Sequence, residues 1–438
     1  MTQLQQFANA EILIANWDQI RLSVGEMSPA LAAEFTALGG RLQAPASWEE
    51  LPKIIDDLLR LIRNTAAAPY VRQLMARAAL EDHAATRSVG RQESFATGME
   101  APPAEQSSDA AKTLGSALAK SADPLGVTHV PIFYATNRKQ SGTAFSGDPA
   151  DVLGYGYVWV TVPARHEMGH IEKQPWWNCL SDPGDPRKYF TCEIRDLPKT
   201  EFLADMEKSC QVARSRQMLV FIHGFNVSFE EGAMRAAQFA HDTEFSGLVV
   251  LYSWPSRGAW YGYSADEARA GASGVRMAGF LNDLVGGPWA QLSFLAHSMG
   301  NRVLLSALAD NERPKLSFGQ LVMAAADVYV EDFKPQFSKL QQQGVLPCTS
   351  YSSRNDRALQ LSSWIHRGPR VGLIGDFHFD DDDNESIDAT AVDHGLLAHG
   401  YWSGERALIT DIRTLVLDGF RAEKRGLRHF GGYWMFPR

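Results

Sequence analysis

The sequence predicts an α/β protein, with a mostly parallel central sheet covered by helices on both faces and a small all-helical domain before it. From residue 217 onward, short apolar runs alternate regularly with helical segments, which is the pattern of parallel strands joined by crossover helices. The first 80 residues instead show helical spacing throughout. With 45% hydrophobic and 21% charged residues, the chain has enough apolar material for a large core.

Residues 1–80 are expected to form a bundle of four short amphipathic helices. The dipeptide Ser28-Pro29 is a start signal for the second helix, and Gly39-Gly40 is expected to end it. Ser47 and Glu50 form a capping box before the third helix. The apolar faces carry no ionisable cluster, so we expect no chemistry in this domain and consider a role in partner binding or self-association instead.

Between the two domains, residues 81–126 are rich in Ala, Ser, Glu and Gly and contain Pro102-Pro103. This composition predicts a weakly ordered linker. The second domain is then expected to comprise residues 127–438.

The second domain is predicted to begin with strands and to continue with alternating strands and helices. The predicted strands, in order, are HVPIFYATNR, YGYVWVTVP, KYFTCEIRDL, MLVFIHG, GLVVLYSW, LSFLAH, LVMAAAD, LPCTSYSS and VGLIG. The predicted helices span residues 199–217, 228–242, 264–284, 299–310, 358–364 and 405–421. The second of these is expected to begin with a capping box formed by Ser228 and Glu231. Because the first strands lack helices between them, we expect them to form an antiparallel edge of the sheet.

The segment LSFLAHSMGNRVLL places Ser298 between a buried strand and a helix. Ala296 and Gly300 are small residues two positions to either side, as a tight strand-to-helix turn requires. Such a turn lifts the hydroxyl above the sheet edge and points the amino end of the helix at it. Serine is also a common N-cap residue, but this setting favours a nucleophile.

A nucleophilic serine needs backbone donors for the oxygen that becomes negative. One is the amide of Met299. The other is expected in the loop after MLVFIHG, where Gly224 allows close approach and Phe225 supplies the N–H group. His223 is expected to brace this loop rather than to transfer protons.

The motifs VFIHGFN, LYSWPS, YGYSADEA, AHSMGNRVL, AAADV, SSRNDRAL and HGYW occur in this order. Together they resemble a bacterial α/β-hydrolase family of unknown function, over roughly residues 127–420. The resemblance implies the α/β-hydrolase fold and a serine hydrolase triad, and it leaves the substrate open.

In the hydrolase fold the acid follows the nucleophile and the histidine comes last. The family's histidine-x-tyrosine position matches His399, ahead of His394 and His378. The acid is expected at Asp356, which the resemblance favours, with Asp327 as the alternative. Asp356 also has the setting of a helix cap.

The pentapeptide HEMGH, residues 166–170, fits the zinc-protease pattern, which requires both histidines on one helical face. Pro163 before it and QPWW after it leave room for barely two turns. We therefore expect a loop and no metal or other cofactor, and we keep a zinc hydrolase as a third reading.

Aromatic residues near strand ends are candidates for the substrate pocket. We assign Trp254, His223 and Tyr263 to it, although core packing explains Trp254 equally well. Trp176-Trp177 lies in an insertion that we consider as a cap over the site.

These observations predict a serine esterase that acts on a small-molecule or lipid-like ester, and they leave thioesters and amides open as alternative substrates. The competing interpretation is a partner-binding or signalling effector that uses the hydrolase fold as a scaffold. A formal charge of −9 argues against nucleic acid binding. No signal peptide, transmembrane segment or metal-type cysteine spacing is evident, so we expect a cytoplasmic protein.

Overall fold

The computed structural model describes residues 29–43, 51–62, 121–122, 126–142, 144–173, 185–256, 263–309, 316–342, 344, 347–366, 368–379, 381, 383–393 and 400–437. The N-terminal helices and the sheet belong to separate compact units. Among the helices within these ranges, none combines the length and the apolar character needed to cross a bilayer.

Two of the predicted N-terminal helices lie within the described residues, α1 (Pro29–Gln43) and α2 (Leu51–Ile62). The prediction that Gly39-Gly40 ends α1 is wrong, because the helix continues to Gln43. Each helical glycine costs only about 1 kcal/mol relative to alanine, and α1 packs against α2 with Phe35 and Leu38 buried. The first and fourth predicted helices lie outside the described residues.

The larger unit contains the sheet. Its strands are β1 (Ser121–Ala122), β2 (Thr128–Ser141), β3 (Ala144–Val162), β4 (Thr191–Leu197), β5 (Gln217–Ile222), β6 (Leu248–Ser253), β7 (Gln291–His297), β8 (Phe318–Ala324), β9 (Cys348–Ser352), β10 (Glu385–Asp388), β11 (Arg428–Phe430) and β12 (Tyr433–Met435).

Helices connect most of the consecutive parallel strands. They are α3 (Lys199–Val212), α4 (Phe229–Asp242), α5 (Tyr263–Asp283), α6 (Gly300–Ala309), α7 (Val330–Gln342), α8 (Arg357–His366), α9 (Tyr401–Gly404) and α10 (Arg406–Asp418), followed by a 3₁₀ turn at Ala422–Arg425.

The strands of the described residues form one sheet in the order β11-β12-β10-β9-β8-β7-β5-β6-β2-β3-β4, with β1 paired to β2. From β12 across to β2, neighbouring strands are parallel. The antiparallel pairs lie at the two edges, β2–β3–β4 on one side and β11–β12 on the other. The mostly parallel sheet with an antiparallel first edge is therefore confirmed.

The parallel arrangement decides where the site forms, because the carboxyl ends of parallel strands meet at one edge of the sheet. Strands β5 and β7 are central neighbours, and both are almost continuously buried apolar runs. Helix α4 begins beside them with the predicted capping box, in which the Ser228 hydroxyl accepts from Glu231 N–H and the Glu231 carboxylate accepts from Ser228 N–H.

The prediction of a strand at VGLIG is wrong. Val371 and Ile374 are buried as expected, but the segment forms turns whose amides pair with the loop after β8, including Gly372 N–H with the Ala326 carbonyl (2.9 Å). The next strand is β10 (Glu385–Asp388). An apolar run is buried in either case, so its composition does not distinguish a strand from a packed turn.

Candidate active site

Ser298 joins β7 to α6 through a backbone conformation that is rare for a residue with a side chain. Its φ of 53° lies in the left-handed region, where a non-glycine residue is strained. Hydrogen bonds hold it there: Ser298 N–H donates to the Ala324 carbonyl (3.0 Å), and Asp327 N–H donates to the Ser298 carbonyl (3.2 Å). The predicted sharp turn is therefore present, in the geometry of a nucleophile elbow.

Asn301, in the first turn of α6, stabilises this elbow from beneath. Its side-chain Nδ2 donates to the carbonyl oxygens of Ala296 (3.1 Å) and Ser298 (3.0 Å), and the residue is fully buried. The side chain thus ties the end of β7 to the strained residue. This role was not evident from the sequence, although Asn301 stands within the motif AHSMGNRVL.

The loop between β5 and α4 lies directly against the elbow, as the oxyanion-hole prediction requires. A Cβ atom added to Gly224 would lie 2.8 Å from the Ser298 Cβ, and one added to Gly300 would lie 2.5 Å from the His223 carbonyl oxygen. Both contacts are too close for any side chain, so the two glycines permit the approach. Phe225 and Met299 stand next in sequence to Gly224 and Ser298, and Phe225 is half-buried.

His223 braces this loop, as the sequence predicted. Burial and the neighbouring Arg138 guanidinium lower the pKa of His223 to about 3, so the ring is neutral. Because a guanidinium can only donate, Nε2 is the acceptor from Arg138 Nη2 (3.2 Å), and Nδ1–H donates to the Gly224 carbonyl (2.8 Å). A neutral ring held at both nitrogens stabilises the loop.

Trp254 supports the same loop rather than lining a pocket. Its indole Nε1 donates to the His223 carbonyl (2.7 Å), and its ring stacks on the His223 ring with centroids 5.4 Å apart. Trp254 and His223 are 0% and 1% exposed, so neither offers a surface to a ligand. The assignment of these two residues to the substrate pocket therefore gives way to a bracing role.

Arg138, at the end of β2, joins these groups and was not singled out from the sequence. It is 3% exposed. Its guanidinium donates to the Ser253 hydroxyl, the His223 ring and the carbonyl oxygens of Ser146, Ser256 and Val227. Burial lowers the pKa of Arg138 to about 10, so it remains cationic at neutral pH.

The two candidate acids have different surroundings. Asp327 is buried, with Oδ1 accepting from the Ser362 hydroxyl (2.7 Å) and lying 3.6 Å from Arg370 Nε. Asp356 is also fully buried, and its Oδ1 accepts from Leu359 N–H (2.9 Å) at the start of α8. Asp356 therefore does cap a helix, as the alternative reading held, while Asp327 is engaged by Ser362 and Arg370.

The preferred base, His399, and its alternative His394 lie outside the described residues. Trp402, three positions after His399 in the sequence, packs against His297, the neighbour of Ser298, with ring centroids 5.4 Å apart. His378 instead packs against Tyr433 in β12. Strands β10, β9 and β8 separate β12 from β7, which at ~4.8 Å per strand is about 19 Å, so His378 cannot reach Ser298.

The HEMGH segment forms turns rather than the helix that a zinc-protease site requires. When protonated, His166 donates from both ring nitrogens, from Nδ1 to the Glu172 carboxylate (3.0 Å) and from Nε2 to the Asp242 carboxylate (2.8 Å). Burial lowers the pKa of His166, but the bonds to Asp242 and Glu172 outweigh it and raise the pKa overall. Within the described ranges, no group of His, Cys, Asp and Glu residues is placed to hold a metal ion.

Three further residues singled out from the sequence have side chains outside the described part of the chain. The side chain of Tyr263, assigned to the substrate pocket, lies outside the described part of the chain, although Tyr263 begins α5. Trp176-Trp177, considered as a cap, falls in the undescribed range 174–184.

A parallel sheet with a strained serine between a central strand and a helix, against a glycine-bearing loop, is the scaffold of an α/β hydrolase. Residues 198–403 match the model of a family described as α/β hydrolases of unknown function. The family and fold predicted from the motifs are thereby confirmed. Among curated proteins, no sequence matches the chain.

Proposed function

We propose that the chain is a serine hydrolase that cleaves a carboxylic ester through an acyl-enzyme intermediate. The observation that carries this proposal is the left-handed backbone of Ser298, with a φ of 53°, at the turn that also abuts Gly224. A fold retains such strain where the strained residue has a task. At this turn the task that fits is presenting a nucleophile.

The proposed reaction has two stages. Ser298 Oγ attacks the ester carbonyl carbon while its proton passes to His399, and the amides of Phe225 and Met299 stabilise the carbonyl oxygen as it becomes negative. The alcohol leaves with the proton from His399, and an ester to Ser298 remains. Water, deprotonated by His399, then attacks that ester and releases the carboxylic acid and the free serine.

The choice of His399 as base rests on the resemblance and on its neighbourhood in sequence. Trp402 is 2% exposed and lies among His297, Phe221 and Phe239. The Ser403 carbonyl accepts from Gln238 in α4 (3.3 Å). The segment that follows His399 is therefore anchored beside the nucleophile, which supports this histidine over others.

Asp356 is proposed as the acid that orients the base. It follows β9, after the nucleophile strand β7 in chain order, as the hydrolase arrangement requires. The engagement of Asp327 by Ser362 and Arg370 supports a structural role for that residue. A lipid-like ester remains the preferred substrate class, because the AHSMG elbow resembles lipases.

The test is labelling by a fluorophosphonate together with hydrolysis of an ester series of graded acyl length. We expect one label per chain, on Ser298, and loss of both labelling and hydrolysis in Ser298→Ala. Matched thioesters and amides in the same series identify the preferred bond. A folded protein that hydrolyses none of these and resists labelling would contradict the proposal, as would full activity in Ser298→Ala.

A further inference from the structure

The buried guanidinium of Arg138 has no carboxylate partner. Within the described part of the chain no acidic oxygen lies within 4.0 Å of it, and the acids that influence it most, Glu230 and Asp266, act from further away. Asp266 instead accepts from the Ser256 hydroxyl (2.8 Å). Burying a charge without an opposite charge in contact is unfavourable, so we expect the charge of Arg138 to serve a function.

Hydrogen bonding explains how the charge is tolerated, but none of the contacting groups carries an opposite charge. The acceptors are hydroxyl, imidazole and carbonyl groups, all of them neutral. A guanidinium has five N–H groups, and the contacts made by Nε, Nη1 and Nη2 use all of them. Its positive potential is therefore offset only from beyond contact distance, by Glu230, Asp266 and Glu231, and it extends into the surrounding low-dielectric region.

The position of the charge indicates where that potential acts. Arg138 Nη2 contacts both ends of the loop that precedes α4, at the His223 ring (3.2 Å) and the Val227 carbonyl (2.7 Å). Between these two anchors lie Gly224, which abuts Ser298, and Phe225, the proposed oxyanion donor. The guanidinium thus forms hydrogen bonds at both ends of the loop that carries the Phe225 amide.

We propose that Arg138 is a positioning residue for the hydrolysis, and this inference rests on the proposed function. Through His223 and Val227 it fixes the loop that carries the Phe225 amide. Its charge, which no carboxylate contacts, also favours the tetrahedral state, in which the substrate oxygen beside that loop is negative. A residue that only joined strands would not need a net charge.

The test separates the charge from the hydrogen bonds. Arg138→Gln removes the charge and keeps two donors, whereas Arg138→Lys keeps the charge and loses the planar fork. For each variant we would measure kcat, KM and the affinity for a trifluoromethyl ketone, which binds Ser298 as a tetrahedral oxyanion. Thermal unfolding identifies the temperature at which each variant is fully folded for these measurements.

Loss of a direct oxyanion donor costs about 10²- to 10³-fold in kcat, and an indirect group contributes less. We expect Arg138→Gln to lower kcat and ketone affinity together by roughly 10- to 30-fold, with KM nearly unchanged. Arg138→Lys should lose clearly less. The matched control is Arg413→Gln, which removes a guanidinium from the Thr243 carbonyl (2.9 Å) at the opposite end of α4 and should leave all three values unchanged.

Equal losses in the glutamine and lysine variants, or a loss confined to KM, would overturn the inference while leaving the proposed function intact. If Arg138→Gln does not fold, Arg138→Lys is the deciding variant. A loss in Arg138→Lys as large as that expected for Arg138→Gln would then overturn the inference, because the lysine variant keeps the positive charge. Failure of the wild-type protein to hydrolyse esters or bind the ketone would instead contradict the proposed function itself.

Discussion

Two buried arginines, at opposite sides of the sheet, are stabilised in different ways. Arg425 donates to the Asp411 carboxylate (2.6 Å) and to Glu385 Oε2 (2.7 Å). Burial lowers the pKa of Arg425, but Tyr351, Asp411 and Glu385 outweigh it and raise the pKa overall. Arg138 is equally inaccessible and contacts only neutral acceptors, and its pKa is lowered.

We infer from this difference that the Arg425 cluster serves the stability of the fold alone. The Arg425 cluster joins the start of β10 to α10 and the 3₁₀ turn, where its opposite charges satisfy one another. The Arg138 network stands beside the strained serine and keeps its positive charge. The comparison therefore predicts that changes near Ser298 alter turnover more than folding, and that changes near Arg425 alter folding more than turnover.

After Ser298→Ala, the largest effect on the catalytic side is expected from Asp356→Asn. Asparagine caps a helix as well as aspartate does, so this change removes the charge and keeps the cap. Loss of a triad carboxylate in this way lowers kcat by about 10⁴-fold. Steady-state hydrolysis and thermal unfolding measure the two consequences. Asp327→Asn is the matched comparison, and a larger loss of kcat there would transfer the acid role to Asp327.

On the stability side, Glu385→Ala should be the most damaging change. It leaves Arg425 and Arg421 facing a missing carboxylate, and breaking a buried ion pair costs about 3–5 kcal/mol. Denaturant unfolding should show this loss in the free energy of unfolding. The kcat per folded molecule should stay within twofold of the wild-type value. A large fall in kcat for fully folded protein would show that the Arg425 cluster also affects turnover.

A smaller catalytic effect is expected from Asn301→Ala. The change removes both hydrogen bonds to the carbonyl oxygens at the elbow, so Ser298 can relax from its strained conformation. Since strain of this kind amounts to about 1–3 kcal/mol, kcat should fall by about 10- to 100-fold with KM little changed. Labelling by the fluorophosphonate should slow in parallel. An unchanged labelling rate would show that the turn at Ser298 keeps its conformation without the Asn301 hydrogen bonds.

The smallest predicted effect is a pH-dependent contribution of His166 to stability. Its pKa is raised above the ordinary 6.5, so its contribution is complete below pH 6.5 and is lost as the pH rises through the raised value. The pKa values of Asp242 and Glu172 are lowered from 3.8 and 4.5, so the stability that these two carboxylates contribute is lost only in acid. The His241 ring also lies near, with centroids 5.3 Å apart.

His166→Gln should therefore lower the free energy of unfolding by about 1–2 kcal/mol, with the largest difference between about pH 4.5 and 6.5. Urea titrations at several pH values measure this difference. A deficit that is constant from pH 5 to pH 9 would show that the contact acts through packing rather than through charge.

Local chemistry made part of this fold predictable. The capping box of Ser228 and Glu231 and the tight turn at Ser298 depend on residues close in sequence, and both are present as expected. Arg138 could not be recognised in the same way, because its partners His223 and Ser253 are 85 and 115 positions away. The polar strand ESID (Glu385–Asp388) was not predicted, because its burial comes from neighbours such as Arg425 rather than from apolar side chains of its own. The segment VGLIG was predicted to be a strand because it is apolar.

Trapping the acyl-enzyme tests most directly whether Ser298 is the nucleophile. Wild-type protein would be mixed with an activated ester, quenched in acid within milliseconds to seconds, digested and analysed by mass spectrometry. We expect the peptide containing Ser298 to gain the mass of the acyl group and to lose it at a rate consistent with turnover. Ester hydrolysis without any acylated Ser298 peptide, or an acyl group on another residue at stoichiometric level, would contradict it.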